Sequence, residues 1–77
     1  MVYEKVVEYI TQQLPVKATD VKPESRLVED LGADSANMMM LIMDLEAEYD
    51  MTVEDDMLSQ IKTVDDIVKY IEEQTKA

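Results

Sequence analysis

The chain has no cysteine, no histidine and one glycine in 77 residues, and only 7 basic residues against 18 acidic ones. Without cysteine there is no disulfide framework, no thiolate nucleophile and no zinc–thiolate site. Without histidine the commonest general base and the commonest transition-metal ligand are both gone. Any catalysis would have to rest on paired carboxylates, and the sequence gives no sign of a concave pocket to hold them. Long apolar runs are missing too: the longest, Met38 to Met43, is far too short to span a bilayer. The segment Met1-Val2-Tyr3-Glu4-Lys5 lacks the basic stretch and apolar run of a secretory signal. The expected setting is therefore cytoplasmic, with no membrane span.

The scarcity of basic residues leaves a formal charge of −11. Nucleic acid and anionic membranes are poor partners for such a surface, whereas basic protein patches are good ones. Self-repulsion also loosens the fold, so salt, divalent cations or mild acidification are expected to raise the melting temperature. Residues 1–77 make a single small domain, expected to be monomeric. A core of this size supplies only about 3–5 kcal/mol of net stability.

Tyr3, Val7, Ile10 and Leu14 recur at helical spacing, predicting a first helix over Tyr3 to Leu14 that Pro15 ends. Pro15 to Asp34 shows no helical stripe. A loop this long needs anchors, and Val21, Leu27, Val28 and Leu31 are the expected ones. Pro23-Glu24-Ser25 suits a single turn, and Gly32 suits a backbone angle that other residues avoid. A second helix is predicted from Ser35 to Tyr49, capped by Asp34 or Ser35. Met38, Leu41, Ile42, Leu45 and Tyr49 form its core face. Ala36, Met39, Met40, Met43 and Ala47 form a second apolar set beside it, and Asp44, Glu46, Glu48 and Asp50 take the remaining face. A short helix follows Thr52 and reaches about Gln60. Thr63 and Asp66 then have capping-box spacing, ahead of a last helix that buries Val64, Ile67, Val68 and Ile71 and carries Lys76 at its C-terminal end. The expected fold is all-α: a small four-helix bundle of three main helices and one short one, with a long first loop.

Ser35 is the leading candidate for function. A hydroxyl at a helix start lies where backbone N–H groups point outward and the dipole is positive, so a phosphate attached there would be stabilised. The acids Glu54, Asp55 and Asp56 invite comparison with a calcium loop. A loop begun at Asp50 would put Asp55 where glycine is needed and Ile61 where glutamate is needed, which excludes it. Acids favoured by the positive end of a helix explain that cluster better. Met38 and Met57 read as core, whereas Met40 and Met43 share a face with Ala36 and suit partner contact.

Asp30-Leu31-Gly32-Ala33-Asp34-Ser35, followed by Leu41-Ile42-Met43-Asp44-Leu45-Glu46-Ala47-Glu48-Tyr49-Asp50, resembles an acyl carrier protein. Ile61-Lys62-Thr63-Val64 and Ile67 through Ile71 extend the likeness almost end to end. The resemblance implies a carrier, not an enzyme. A phosphopantetheinyl transferase using coenzyme A and Mg²⁺ would attach 4′-phosphopantetheine to Ser35, and Asp34 would contact the transferase or its metal. The arm's thiol would then carry acyl groups as thioesters to acyl-transferring and chain-modifying enzymes of fatty-acid, polyketide or related biosynthesis. Met38, Met39, Leu41, Ile42, Leu45, Ile61 and Val68 would line a cavity for the acyl chain. Ala36, Asn37, Met40, Met43, Asp44, Glu46 and Glu48 would form the partner face.

This sequence departs from the family pattern where the family has leucine and then an acid after its serine, and a glutamate one turn on. Here those positions are Ala36, Asn37 and Met40. The departure suggests dedicated partners that dock partly through Met40 and Met43. The rival reading is a helical interaction module that uses its methionine-rich face and carries no prosthetic group.

Overall fold

The computed structural model describes residues 2–75, without the side chain of Asp55, so the expectation for Lys76 lies outside the described residues. The chain folds as α1 (Val2–Gln13), a 3₁₀ turn (Ala18–Asp20), α2 (Ser35–Tyr49), α3 (Asp55–Leu58) and α4 (Val64–Thr75). This is the all-α bundle of three main helices and one short one. The 3₁₀ turn in the first loop was not legible in the sequence. α1 packs against both α2 and α4. It buries Val6, Val7 and Ile10, and Leu14 extends its ladder by one bond to Ile10 (2.9 Å) before Pro15 stops it. Tyr3 and Tyr70 are half-buried, with hydroxyls that donate to the carbonyls of Val21 (3.0 Å) and Thr52 (3.3 Å).

The long loop is held at both ends and stitched in the middle. Lys22 and Ser25 close a turn, with the Lys22 N–H donating to Ser25 Oγ (2.9 Å) and the Ser25 N–H to the Lys22 carbonyl (3.0 Å). Arg26 and Thr63 then form an isolated antiparallel bridge. The Leu27 N–H donates to the Lys62 carbonyl (2.9 Å), and the Val64 N–H donates to the Ser25 carbonyl (3.1 Å). Val21, Leu27 and Leu31 are buried as expected, but Val28 is 61% exposed. The reason is rotational. Residues 26–32 wind as a tight turn, with N–H groups of Asp30 and Leu31 on the Arg26 carbonyl. Leu27 and Leu31, four apart, share its inner side, so Val28 faces out.

Arg26 pairs with Glu29 and with Asp30 (3.2 Å). The backbone N–H and guanidinium of Arg26 hold the Asp30 carboxyl below the usual carboxylate range. Gly32 sits at φ +76°, and no atom lies within 4 Å of where a Cβ would project. Gly32→Ala should therefore cost only the backbone term, about 1–2 kcal/mol in urea denaturation. A cost near zero would show that the loop relaxes around it.

Thr63 and Asp66 form the expected capping box, with Asp66 N–H to Thr63 Oγ1 at 3.2 Å and Thr63 N–H to Asp66 Oδ2 at 3.0 Å. Backbone N–H groups of Lys62 and Thr63 hold the Asp66 carboxyl below its ordinary value of 3.8. Two opposing pH effects follow. Acidification from neutrality toward about pH 5 relieves the net negative charge and raises the melting temperature. The contribution of Asp66 is present above its unfolded pKa and is lost as pH falls below about 4, so the curve turns down there. Thermal melts across pH and salt check this. A melting temperature that stays flat with salt and between pH 7 and 5 would remove self-repulsion as a factor.

Candidate functional site

Gly32 turns the chain so that Ala33 is buried and its N–H returns to the Leu27 carbonyl (2.9 Å). Asp34 follows in extended conformation (φ −105°, ψ −177°) and caps α2. Its Oδ1 accepts the Asn37 N–H (2.8 Å), and Asn37 Oδ1 accepts the Asp34 N–H (3.3 Å). Asn37 Nδ2 also reaches the Gln13 carbonyl on α1 (3.5 Å). Asn37 is thus a half-buried capping residue, not simply part of an outer face.

Ser35 is the first residue of α2 and is exposed. Among the described residues its hydroxyl has no hydrogen-bond partner, and neither do the N–H groups of Ser35 and Ala36. The site therefore offers an unengaged alcohol at the positive end of a fifteen-residue helix. Among the described residues no base is hydrogen-bonded to the alcohol. The donor set suits a phosphodiester: free amides, a favourable dipole and open space.

Beside Ser35 lies a cleft of about 650 Å³ between the loop, the start of α2 and α3. Its apolar wall is Val28, Met38, Met39, Leu58 and Ile61, and Arg26 and Lys62 also line it. Of the seven residues expected to line an acyl cavity, Met38, Met39 and Ile61 line this cleft. Leu41, Ile42, Leu45 and Val68 are buried in the core and are not among the residues lining this cleft. Sequence reasoning missed Val28, Leu58 and the two cations. Non-local bonds around the bridge between residues 26 and 63 bring their segments together.

The exposed side of α2 carries Ala36, Met39, Met40, Met43 and Ala47. The acids do not share one remaining face. On one edge, Asp44 and Glu48 meet α1: Gln13 Nε2 donates to Asp44 Oδ2 (3.1 Å), and the Tyr9 hydroxyl donates to Glu48 (2.6 Å). The Glu48 bond pushes the Tyr9 phenol up to about 12. On the other edge, Glu46 accepts the Val53 N–H (2.6 Å) and so holds the segment leading to α3. No cluster that could hold a metal ion is present among the described residues, and no helix there is long and apolar enough to cross a membrane.

The site is an exposed serine at a helix start, without a hydrogen-bond partner among the described residues, beside a cleft with an apolar wall. The chain matches the family described as "Phosphopantetheine attachment site" over residues 4–71. It is 43% identical over 76 residues to an acyl carrier protein of Clostridium acetobutylicum, spanning 99% of both chains. It is 46% identical over 70 residues to an acyl carrier protein of Helicobacter hepaticus, spanning 91% of this chain and 92% of the relative. The fold matches the structure of an acyl carrier protein from Enterococcus faecalis with a TM-score of 0.82 at 30% identity, over 95% of this chain and 92% of that one.

The chain belongs to the acyl carrier protein family. It is a carrier of acyl groups, not an enzyme, and its prosthetic group is 4′-phosphopantetheine. Its partners are a phosphopantetheinyl transferase and biosynthetic enzymes. An interaction module without a prosthetic group is not favoured.

Proposed function

We propose that Ser35 is the acceptor of the phosphopantetheine arm. The observation that carries this is a comparison of the chain's three serines. Ser25 is buried and its Oγ accepts the Lys22 N–H. Ser59 closes α3 and donates to the Asp56 carbonyl (2.9 Å). Ser35 alone combines exposure, a hydroxyl without a partner among the described residues and free neighbouring amides. When bound, the arm supplies a thiol that holds acyl groups as thioesters.

The protein residues present and shield. The Ser35 and Ala36 amides would hold the anionic link of a bound arm. Asp34, exposed with Oδ1 used in capping, keeps Oδ2 for the transferase or its metal. An acyl chain folding back from Ser35 meets Met38, Met39, Leu58 and Ile61, so Leu41, Ile42, Leu45 and Val68 would be reached only if the core opened. Enzymes approach over Ala36, Met40 and Met43, with Asp44, Glu46 and Glu48 at the edges of that face and Asn37 beneath it. The charge of −11 favours a monomer that meets partners with basic or mixed basic and apolar patches. Incubation with coenzyme A, Mg²⁺ and a broad-specificity transferase should add the mass of one arm, and peptide mapping should find it on Ser35. An arm on Ser25 or Ser59, or none, overturns the assignment.

A further inference from the structure

Large apolar side chains exposed on the described surface are Val28, Met39, Met40 and Met43. The three methionines are 46%, 51% and 58% exposed and follow Ser35 on α2 at distances of about one to two turns. Alanines at 36 and 47 bracket them, so the thioethers stand proud of the helix. From Ser35 through Met43 there is no charged residue, in a chain whose net charge is −11. Met38, Met51 and Met57 are half-buried and pack against the core. The chain has no cysteine, so its methionine thioethers are the only sulfur it supplies. Among the described methionines, the most accessible sit on the same helix as the proposed acceptor.

We propose that Met39, Met40 and Met43 form a reversible oxidation site, at which peroxide turns an apolar docking face into a polar one and slows access to Ser35 while leaving the fold intact. In the step, the peroxide O–O bond breaks, an S–O bond forms, the sulfur is oxidised to the sulfoxide and the peroxide is reduced to water. A sulfoxide reductase drawing on a dithiol reverses it: the sulfoxide oxygen leaves as water and the dithiol becomes a disulfide. Exposure separates two populations. Oxidising the half-buried methionines would place a polar group against the core and destabilise it. Oxidising the exposed three costs the fold little because none of them fills the core. The loss falls instead on any partner that must desolvate this stripe to reach the serine. That docking clause rests on Ser35 being the acceptor.

The test treats the arm-free chain with limiting hydrogen peroxide, removes the oxidant, maps added oxygen by peptide mass spectrometry and records thermal melts. It then measures the initial rate of arm attachment by a broad-specificity transferase. Expected are oxygens on Met39, Met40 and Met43 before Met38, Met51 and Met57, an unchanged melting temperature, and attachment slowed about tenfold and restored by sulfoxide reductase. A Met39→Leu, Met40→Leu, Met43→Leu variant keeps the face apolar, so its attachment rate should not respond to peroxide. Oxygen arriving first at the half-buried methionines overturns the proposal, as does melting that falls with modification. An unchanged rate, or an equal response in the leucine variant, also overturns it. An untreated chain that accepts no arm overturns the Ser35 reading itself, and the switch with it.

Discussion

Replacing Ser35 with alanine is expected to abolish arm attachment completely while moving stability by no more than about 0.5 kcal/mol. The two halves of that expectation have separate causes. Attachment needs an oxygen at this place, and the other two serines present none: Ser25 is buried in its turn and Ser59 is committed to the Asp56 carbonyl. Stability needs the cap, and the cap is Asp34 with Asn37, not Ser35. The first helical position tolerates alanine because its N–H has no intrahelical acceptor whatever the side chain. Mass spectrometry of intact S35A after transferase treatment, paired with a thermal melt, reads both halves. A residual arm on the variant would show a second acceptor. A collapsed melt would show that the serine holds the helix start.

Leu45→Ala is expected to remove cooperative unfolding near room temperature. Leu45 is fully buried on the core face of α2. Truncating a buried leucine costs about 3 kcal/mol or more, from lost transfer energy plus the cavity left behind. A core this small supplies about 3–5 kcal/mol in total, so one substitution removes most of it. Met43→Ala, two residues away on the same helix but more than half exposed, should change stability by less than about 0.5 kcal/mol. Chemical denaturation of the pair checks the contrast. Equal losses would mean that α2 lies differently on α1.

The helices were legible because their signals are local. α2 begins and ends at the residues read from its caps and apolar spacing, Ser35 and Tyr49, and the Thr63–Asp66 box announced α4. Gly32 was legible for the same reason, since one residue type suits its angle. Asn37 was half-legible: it stands three residues after Asp34, the capping-box spacing, but that third position is usually read for glutamate or glutamine. Val28 was misread because an apolar residue in a loop is by default an anchor, and only the winding of residues 26–32 decides which side it faces. The cleft was the least legible feature. Its walls come from segments some thirty residues apart, joined by bonds such as Leu27 to Lys62 that leave no periodic trace. Four of the expected cavity residues, Leu41, Ile42 and Leu45 on α2 and Val68 on α4, are instead buried in the core.

The stitch between residues 25–27 and 62–64 has a consequence for timing during synthesis. The loop that carries Gly32 and Asp34, and so aims Ser35, lacks its hydrogen-bonding partner until the ribosome has released residues some thirty places downstream. A nascent chain can wind α2 early, yet the approach to that helix settles only when the last third arrives. Modifying enzymes that need this geometry would therefore pass over chains that stop short of residues 62–64, and the arm would mark molecules whose synthesis has passed that point.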